Sequence, residues 1–233
     1  MPESYTYEDI AAMIDHALLK PTLTDAELRQ GVELCVRYAV GSVCIMPCAA
    51  GMAAEMLAGS PVEPSTVIGF PLGVHTTEVK VAEAKRALAD GCTELDMVCN
   101  ISKVRSGEWG YVRDDIAAVT DVTHEAGRKV KVIFENCYLT DGQKVRLCEI
   151  CGDAESDWVK TSTGFGTDGA TDADVKLMRA HAAPNVQIKA AGGIRTLDRL
   201  LEFRALGCSR VGASATRAIL DEARRRLGLT PVG

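Results

Sequence analysis

Asp157-Trp158-Val159-Lys160-Thr161-Ser162-Thr163-Gly164 and Val186-Gln187-Ile188-Lys189-Ala190-Ala191-Gly192-Gly193 are two versions of one pattern, their lysines twenty-nine positions apart. Each is a short β-prone run that closes on a lysine and then on small residues and glycine. A charged side chain inside a buried strand pattern is costly unless it has a partner or a task. Two of them, one βα repeat apart, place two ammonium groups face to face in one pocket. That arrangement makes an amine nucleophilic at neutral pH.

The same kind of run recurs along the chain. It is found at Ala12–Ala17, Ser42–Pro47, Thr66–Pro71, Glu94–Cys99, Lys129–Glu135, Trp158–Thr163, Gln187–Gly192 and Ser209–Ser214. Each is apolar or β-branched and ends in small or polar residues. The centres lie 23 to 36 residues apart, the length of a βα unit. Helices are expected between them over Asp25 to Val40, Thr77 to Asp90 and Ser106 to Ala126, and after a cap at Thr171 or Asp172. A further one carries Leu197, Leu200, Leu201 and Leu206 on one face. Eight such units predict a single closed (β/α)8 barrel, the TIM-barrel architecture, over residues 1–233. An open doubly wound sheet would more often carry G-x-G-x-x-G at its first turn, and none is present.

Composition narrows the function. The chain has 233 residues, 47% of them hydrophobic, and a formal charge of −6. The acidic balance argues against nucleic acid as a partner, and no apolar run reaches the ~20 residues that span a bilayer. Nine cysteines without a secretory signal read as reduced thiols in a cytoplasm. Cys148 and Cys151 form one C-x-x-C without a second pair, and His16, His75, His124 and His181 lack metal-ligand spacing. No metal or cofactor is therefore expected.

In such barrels the chemistry sits at the C-terminal strand ends. On the fourth strand Glu94, Asp96 and Val98 share one face, so Asp96 points into the barrel while Leu95, Met97 and Cys99 face the helices. Lys160 and Lys189 fall at one level on strands about 4.8 Å apart. Each lysine disfavours the other's ammonium form, which frees an amine to attack a carbonyl and form a Schiff base. The bland reading of the lysines is a structural partner for Asp96 and a phosphate ligand. Strands seven and eight end in Gly192-Gly193 and Gly212-Ala213-Ser214, backbone suited to an anion, and the turn ending at Gly164 adds donors. Asp15 has two readings, a contact to a substrate hydroxyl or a structural strand-end carboxylate. Glu135 reads as a barrel tie, and Cys44 as core or as a thiol reactive toward aldehydes.

Ile14-Asp15-His16-Ala17-Leu18-Leu19-Lys20-Pro21, Gly69-Phe70-Pro71-Leu72-Gly73, Glu94-Leu95-Asp96-Met97-Val98, Lys160-Thr161-Ser162-Thr163-Gly164-Phe165 and Lys189-Ala190-Ala191-Gly192-Gly193-Ile194-Arg195-Thr196 resemble the deoxyribose-phosphate aldolase family. The resemblance runs in order from the first strand to the eighth. It implies a class I aldolase without a metal, acting on the phosphosugar 2-deoxy-D-ribose 5-phosphate in deoxynucleoside catabolism. It implies Lys160 as Schiff-base residue, Lys189 as the lysine that keeps it reactive, and Asp96 as proton handler. It implies Gly164, Gly192, Gly193, Gly212 and Ser214 at the phosphate, and a homodimer. Ala17, Met46, Asn136 and Ala215 depart from the family's usual Thr, Asn, Thr and Ser. Those changes keep open a sister aldolase acting on another aldehyde or sugar phosphate. A phosphosugar isomerase and a non-catalytic phosphate binder are the competing classes, and the buried charged trio counts against both.

Overall fold

The computed structural model describes residues 5–230 and 232. Eight parallel strands close into a barrel, each hydrogen-bonded to the next and β1 to β8. They are β1 (Ile14–Leu18), β2 (Ser42–Ile45), β3 (Glu63–Ile68), β4 (Glu94–Val98), β5 (Lys129–Ile133), β6 (Trp158–Lys160), β7 (Gln187–Ala191) and β8 (Cys208–Ala213). The helices are α1 (Tyr7–Ala12), α2 (Asp25–Tyr38), α3 (Ala50–Leu57), α4 (Thr77–Ala89), α5 (Ile101–Arg105), α6 (Trp109–Glu125), α7 (Asp141–Asp153), α8 (Asp172–His181), α9 (Leu197–Ala205) and α10 (Thr216–Arg226). The strand–helix alternation read from the sequence is therefore the TIM barrel.

Local chemistry accounts for the boundaries. Thr24 caps α2 by accepting from the Glu27 amide while Glu27 reaches back, a capping box. Ala39 ends that helix in the left-handed region at φ 50, two residues before the expected end. The expected first strand begins too early, because Ala12 belongs to α1, which Thr6 caps. The expected third strand is displaced by three residues. The strand starts at Glu63, and the Pro64 carbonyl accepts from the Thr93 amide. At the other end the Gly69 amide turns to Glu83 Oε2 at 2.7 Å and leaves the ladder. The helix expected from Ser106 starts at Trp109 as α6, and the short α5, which was not expected, precedes it across a turn at Gly107.

The strands are buried on both faces, as parallel strands under a helix layer must be. Val130, Val132, Val159 and Ile188 alternate with the inward lysines and are fully buried in the apolar shell. The pairing register sets Lys160 opposite Lys189, and Lys189 opposite Arg210. Asp96 faces Lys131 across β4 and β5. Strand alternation thus sends a belt of charges inward at one height, while their neighbours secure the helices.

His16 ties β1 to α10, its Nδ1 lying 2.7 Å from Thr216 Oγ1. Burial pushes its imidazole down to about 4, so it is neutral in the fold. Cys148 and Cys151 are free, buried thiols of α7; burial raises Cys148 to about 12.

The loop leaving β3 turns back at Gly73, which has φ 68 and donates to Gly69 O at 2.7 Å. A Cβ there would lie 2.0 Å from the Cys99 carbonyl oxygen. Gly73→Ala is expected to cost about 1–3 kcal/mol from the left-handed backbone and this clash. An unfolding midpoint in urea equal to that of the parent would refute the constraint.

Candidate active site

One carboxylate organises the barrel interior. Asp96 has no solvent exposure, and its Oδ2 accepts from both Lys160 Nζ and Lys189 Nζ at 2.7 Å. Its Oδ1 lies 3.0 Å from Lys131 Nζ. Lys131 also pairs with Glu94 Oε2 at 2.5 Å and stands 3.6 Å from Asp15 Oδ2. Asp15 in turn binds Lys189 and Arg210. Arg210 reaches on to Glu94 Oε1 at 2.6 Å. The Trp158 indole covers one side, with the Lys131 and Arg210 cations 5.2 and 5.6 Å from its ring centroid.

The two lysines on Asp96 differ in electrostatics. Burial disfavours both ammonium forms. For Lys189, Asp15 and Asp96 together outweigh burial and hold the ammonium above its ordinary range. For Lys160, burial prevails over Asp96, and the Lys189 charge adds to it, so its amine is driven below the ordinary value. Repulsion by Lys189 is therefore the lesser cause, where spacing alone suggests the larger. Lys189 also acts indirectly, since it shares the one oxygen that would otherwise hold Lys160's proton. Asp96 stays ionised: burial works against it, but Lys131, Lys160 and Lys189 hold it well below the usual carboxylate range.

A cavity of about 490 Å³ opens above this cluster. Lys160, Lys189 and Asp15 line its floor with Cys44, while Gly164, Gly192, Gly193, Gly212 and Ser214 line its sides. Every site residue read from the sequence thus meets at one pocket, except that Asp96 lies beneath it and touches it through the lysines. Asp15 is a fully buried counter-ion of Lys189 and Arg210, which favours the structural of its two readings. Glu135 accepts from the Thr163 amide at 3.1 Å and from its hydroxyl, tying the loops after β5 and β6. Of the four departures, Ala17 lines the pocket. Asn136 faces a separate cleft beside Lys144 and Asp168.

The far wall suits an anion. Gly192 and Gly193 have φ 87 and 81, and the Gly192 carbonyl accepts from the Ala170 amide at 3.3 Å. Thr196 caps α9 through the Arg199 amide. Ala215 gives α10 no such side chain, so its first amides are free to face a ligand beside Ser214. Arg195 and Lys20 stand at the rim.

Lys131 and Arg210 are the functional-layer residues that spacing missed. Lys131 sits between valines, as Lys160 follows one, and this is the signal that would have found it. Lys129 two positions earlier makes the run look like a solvated strand start.

Fold and cluster define a class: a parallel-barrel enzyme whose ligand pocket ends on a buried amine whose ammonium form is disfavoured. The family model described as DeoC/LacD family aldolase matches residues 10–222. A deoxyribose-phosphate aldolase of Rhodopirellula baltica is 58% identical over 98% of this chain and 95% of its own length. Another, of Thermococcus gammatolerans, is 47% identical over 93% and 97%. The tetrameric deoxyribose phosphate aldolase of Aeropyrum pernix superposes with a TM-score of 0.88 at 30% identity, over 95% of this chain and 93% of that one. The chain belongs to the DeoC/LacD family of aldolases.

Cys44 is 2% exposed, and burial raises its thiol, whereas Cys48 is exposed. Brief maleimide treatment of the folded protein at neutral pH is expected to label Cys48 and spare Cys44. Peptide mapping that finds Cys44 labelled first would contradict the buried-floor placement.

Proposed function

We propose that the protein is a Schiff-base aldolase that reversibly cleaves 2-deoxy-D-ribose 5-phosphate to D-glyceraldehyde 3-phosphate and acetaldehyde, serving deoxynucleoside breakdown. The observation that carries this reading is the amine of Lys160, 3% exposed at the pocket floor, with one carboxylate partner that it shares with Lys189. The relatives named deoxyribose-phosphate aldolase supply the substrate.

In this reading the neutral amine of Lys160 attacks C1 of the open-chain sugar, and loss of water leaves a protonated imine. The C3 hydroxyl gives up its proton and the C2–C3 bond breaks. Its electrons move to the iminium nitrogen, so glyceraldehyde 3-phosphate leaves and an enamine stays on Lys160. Protonation of the enamine carbon restores an iminium, and water releases acetaldehyde. Asp96 and Lys189 handle these protons with a water, because Asp96 Oδ2 accepts from both the Lys160 and the Lys189 nitrogen at 2.7 Å.

The phosphate, remote from the broken bond, would rest against Gly164, Gly192, Gly193, Gly212 and Ser214 at the open end of α10. Binding there orients C1 toward Lys160. The homodimer implied by resemblance is the assembly we propose, beside the tetramer named for the Aeropyrum pernix enzyme. Among the described residues no helix is long and apolar enough to cross a membrane.

Borohydride added with acetaldehyde should fix a two-carbon adduct on Lys160, found by peptide mass spectrometry and lost in Lys160→Ala. An unmodified Lys160 would overturn the reading. Lys189→Leu frees Asp96 for Lys160 and removes a repelling charge, so the Lys160 pKa rises. At neutral pH less of it is free amine, and kcat/KM should fall at least tenfold, about 1.4 kcal/mol. Turnover at the parent rate would refute the role given to Lys189.

A further inference from the structure

Glu94 and Arg210 have no part in the reaction just described, yet they belong to the same buried network. Seven charged side chains are joined in it by ion pairs: Asp15 from β1, Glu94 and Asp96 from β4, Lys131 from β5, Lys160 from β6, Lys189 from β7 and Arg210 from β8. Fully ionised, they are three carboxylates against four cations, an excess of one positive charge. An uncompensated charge in a desolvated interior is costly, and the cheapest remedy is for one group to lose its charge. Removing one proton from a lysine brings the set to neutrality.

The contacts decide which lysine gives it up. Lys131 has three carboxylates around it and Lys189 has two. Lys160 has one, and shares the oxygen. We propose that Arg210 and Glu94 are positioning residues that set the charge of this network, Arg210 supplying the fourth cation that leaves Lys160 as the unprotonated member. The proposal rests on Lys160 being the Schiff-base residue, and extends that reading to the side chains that hold Asp15 and Lys131.

The geometry around Arg210 suits a fixed charge. One nitrogen takes Asp15 Oδ1 and the other Glu94 Oε1. Asp15 Oδ2 is left to Lys189 and Lys131. The guanidinium lies over the Trp158 ring, and a Cβ on Gly41 would come within 2.8 Å of its Nη1. A guanidinium keeps its proton at any pH at which the reaction runs. Without Arg210, Asp15 would draw harder on Lys131 and Lys189, leaving more of Asp96 to Lys160. Without Glu94, Lys131 would turn to Asp96 and Asp15, leaving less.

Two other ionisable groups near Lys160 stand outside the ion-paired set. Cys44, from β2, is an un-ionised thiol, since burial raises it. Burial also raises Glu135, beyond β5, which is engaged by Thr163. The described part of β3 that faces inward carries no titratable side chain other than Glu63 at its exposed start.

The test compares the acid limb of kcat/KM on deoxyribose 5-phosphate between the parent and three variants. Substrate ionisation is common to all, so differences belong to the protein. Arg210→Gln should move the limb to higher pH by about one unit. Glu94→Gln should move it to lower pH, and Arg210→Lys should restore the parental position. A purely structural role predicts no displacements of opposite sign. Limbs that coincide, or that move the same way, overturn the proposal. If Arg210→Gln does not fold, an unmoved limb in Glu94→Gln overturns it alone, and an acid shift supports it. Borohydride trapping on the parent separates the two levels. An adduct on Lys160 with unmoved limbs removes only the charge-setting role, whereas its absence removes the Schiff-base reading beneath it.

Discussion

Three lysines converge on the carboxylate of Asp96, and the inner half of the barrel is arranged around that meeting. A carboxylate alone in a dry interior would be neutral, and so would a lone lysine. Here each charge is tolerated because the others are present. The register makes this possible: parallel strands put Lys160 and Lys189 side by side and set Lys131 against Asp96. A one-residue slip in any of these strands would send its charge into the helix layer and a valine into the pocket.

Sharing a single oxygen is what separates two chemically identical amines. Lys189 has Asp15 as a second anion and keeps its proton. Lys160 has nothing beyond Asp96, and desolvation decides its state. The pocket lies on the side of Lys160 away from Asp96, so the poorly held proton and the open approach coincide on one nitrogen. Glycines at the ends of β7 and β8, with the uncapped start of α10, place the anion-friendly wall in the same pocket as this nitrogen.

Much of this is legible in the sequence because the barrel repeats. A lysine closing an apolar run, twice at one repeat length, fixes both the neighbouring strands and their level. Asp96 follows from period-two alternation. Lys131 and Arg210 are harder to read, since each lies mid-strand shortly after a polar residue (Lys129 two positions before, Ser209 one position before) that suggests a solvated strand. Helix ends were partly legible. Thr171, one of two expected caps, caps α8, but α5, with five residues, is too short to show a helical period. The start of β3 at Glu63 was not legible, since its first two residues, Glu63 and Pro64, are disfavoured in strand interiors. The electrostatic ranking of the lysines lay beyond sequence, as it depends on how many carboxylates each one touches.

The interior also bears on stability. A barrel of this size ordinarily fills its centre with branched apolar side chains. Here a layer of ion pairs takes that place, and such layers contribute little net stability once desolvation is counted. The apolar face that each strand turns to the helices must therefore hold the barrel closed, and Val130, Val132, Val159 and Ile188 are fully buried there. This division of labour lets the inner face be chosen for reactivity. The inner group that the network serves most poorly, Lys160, is also among those at the pocket floor.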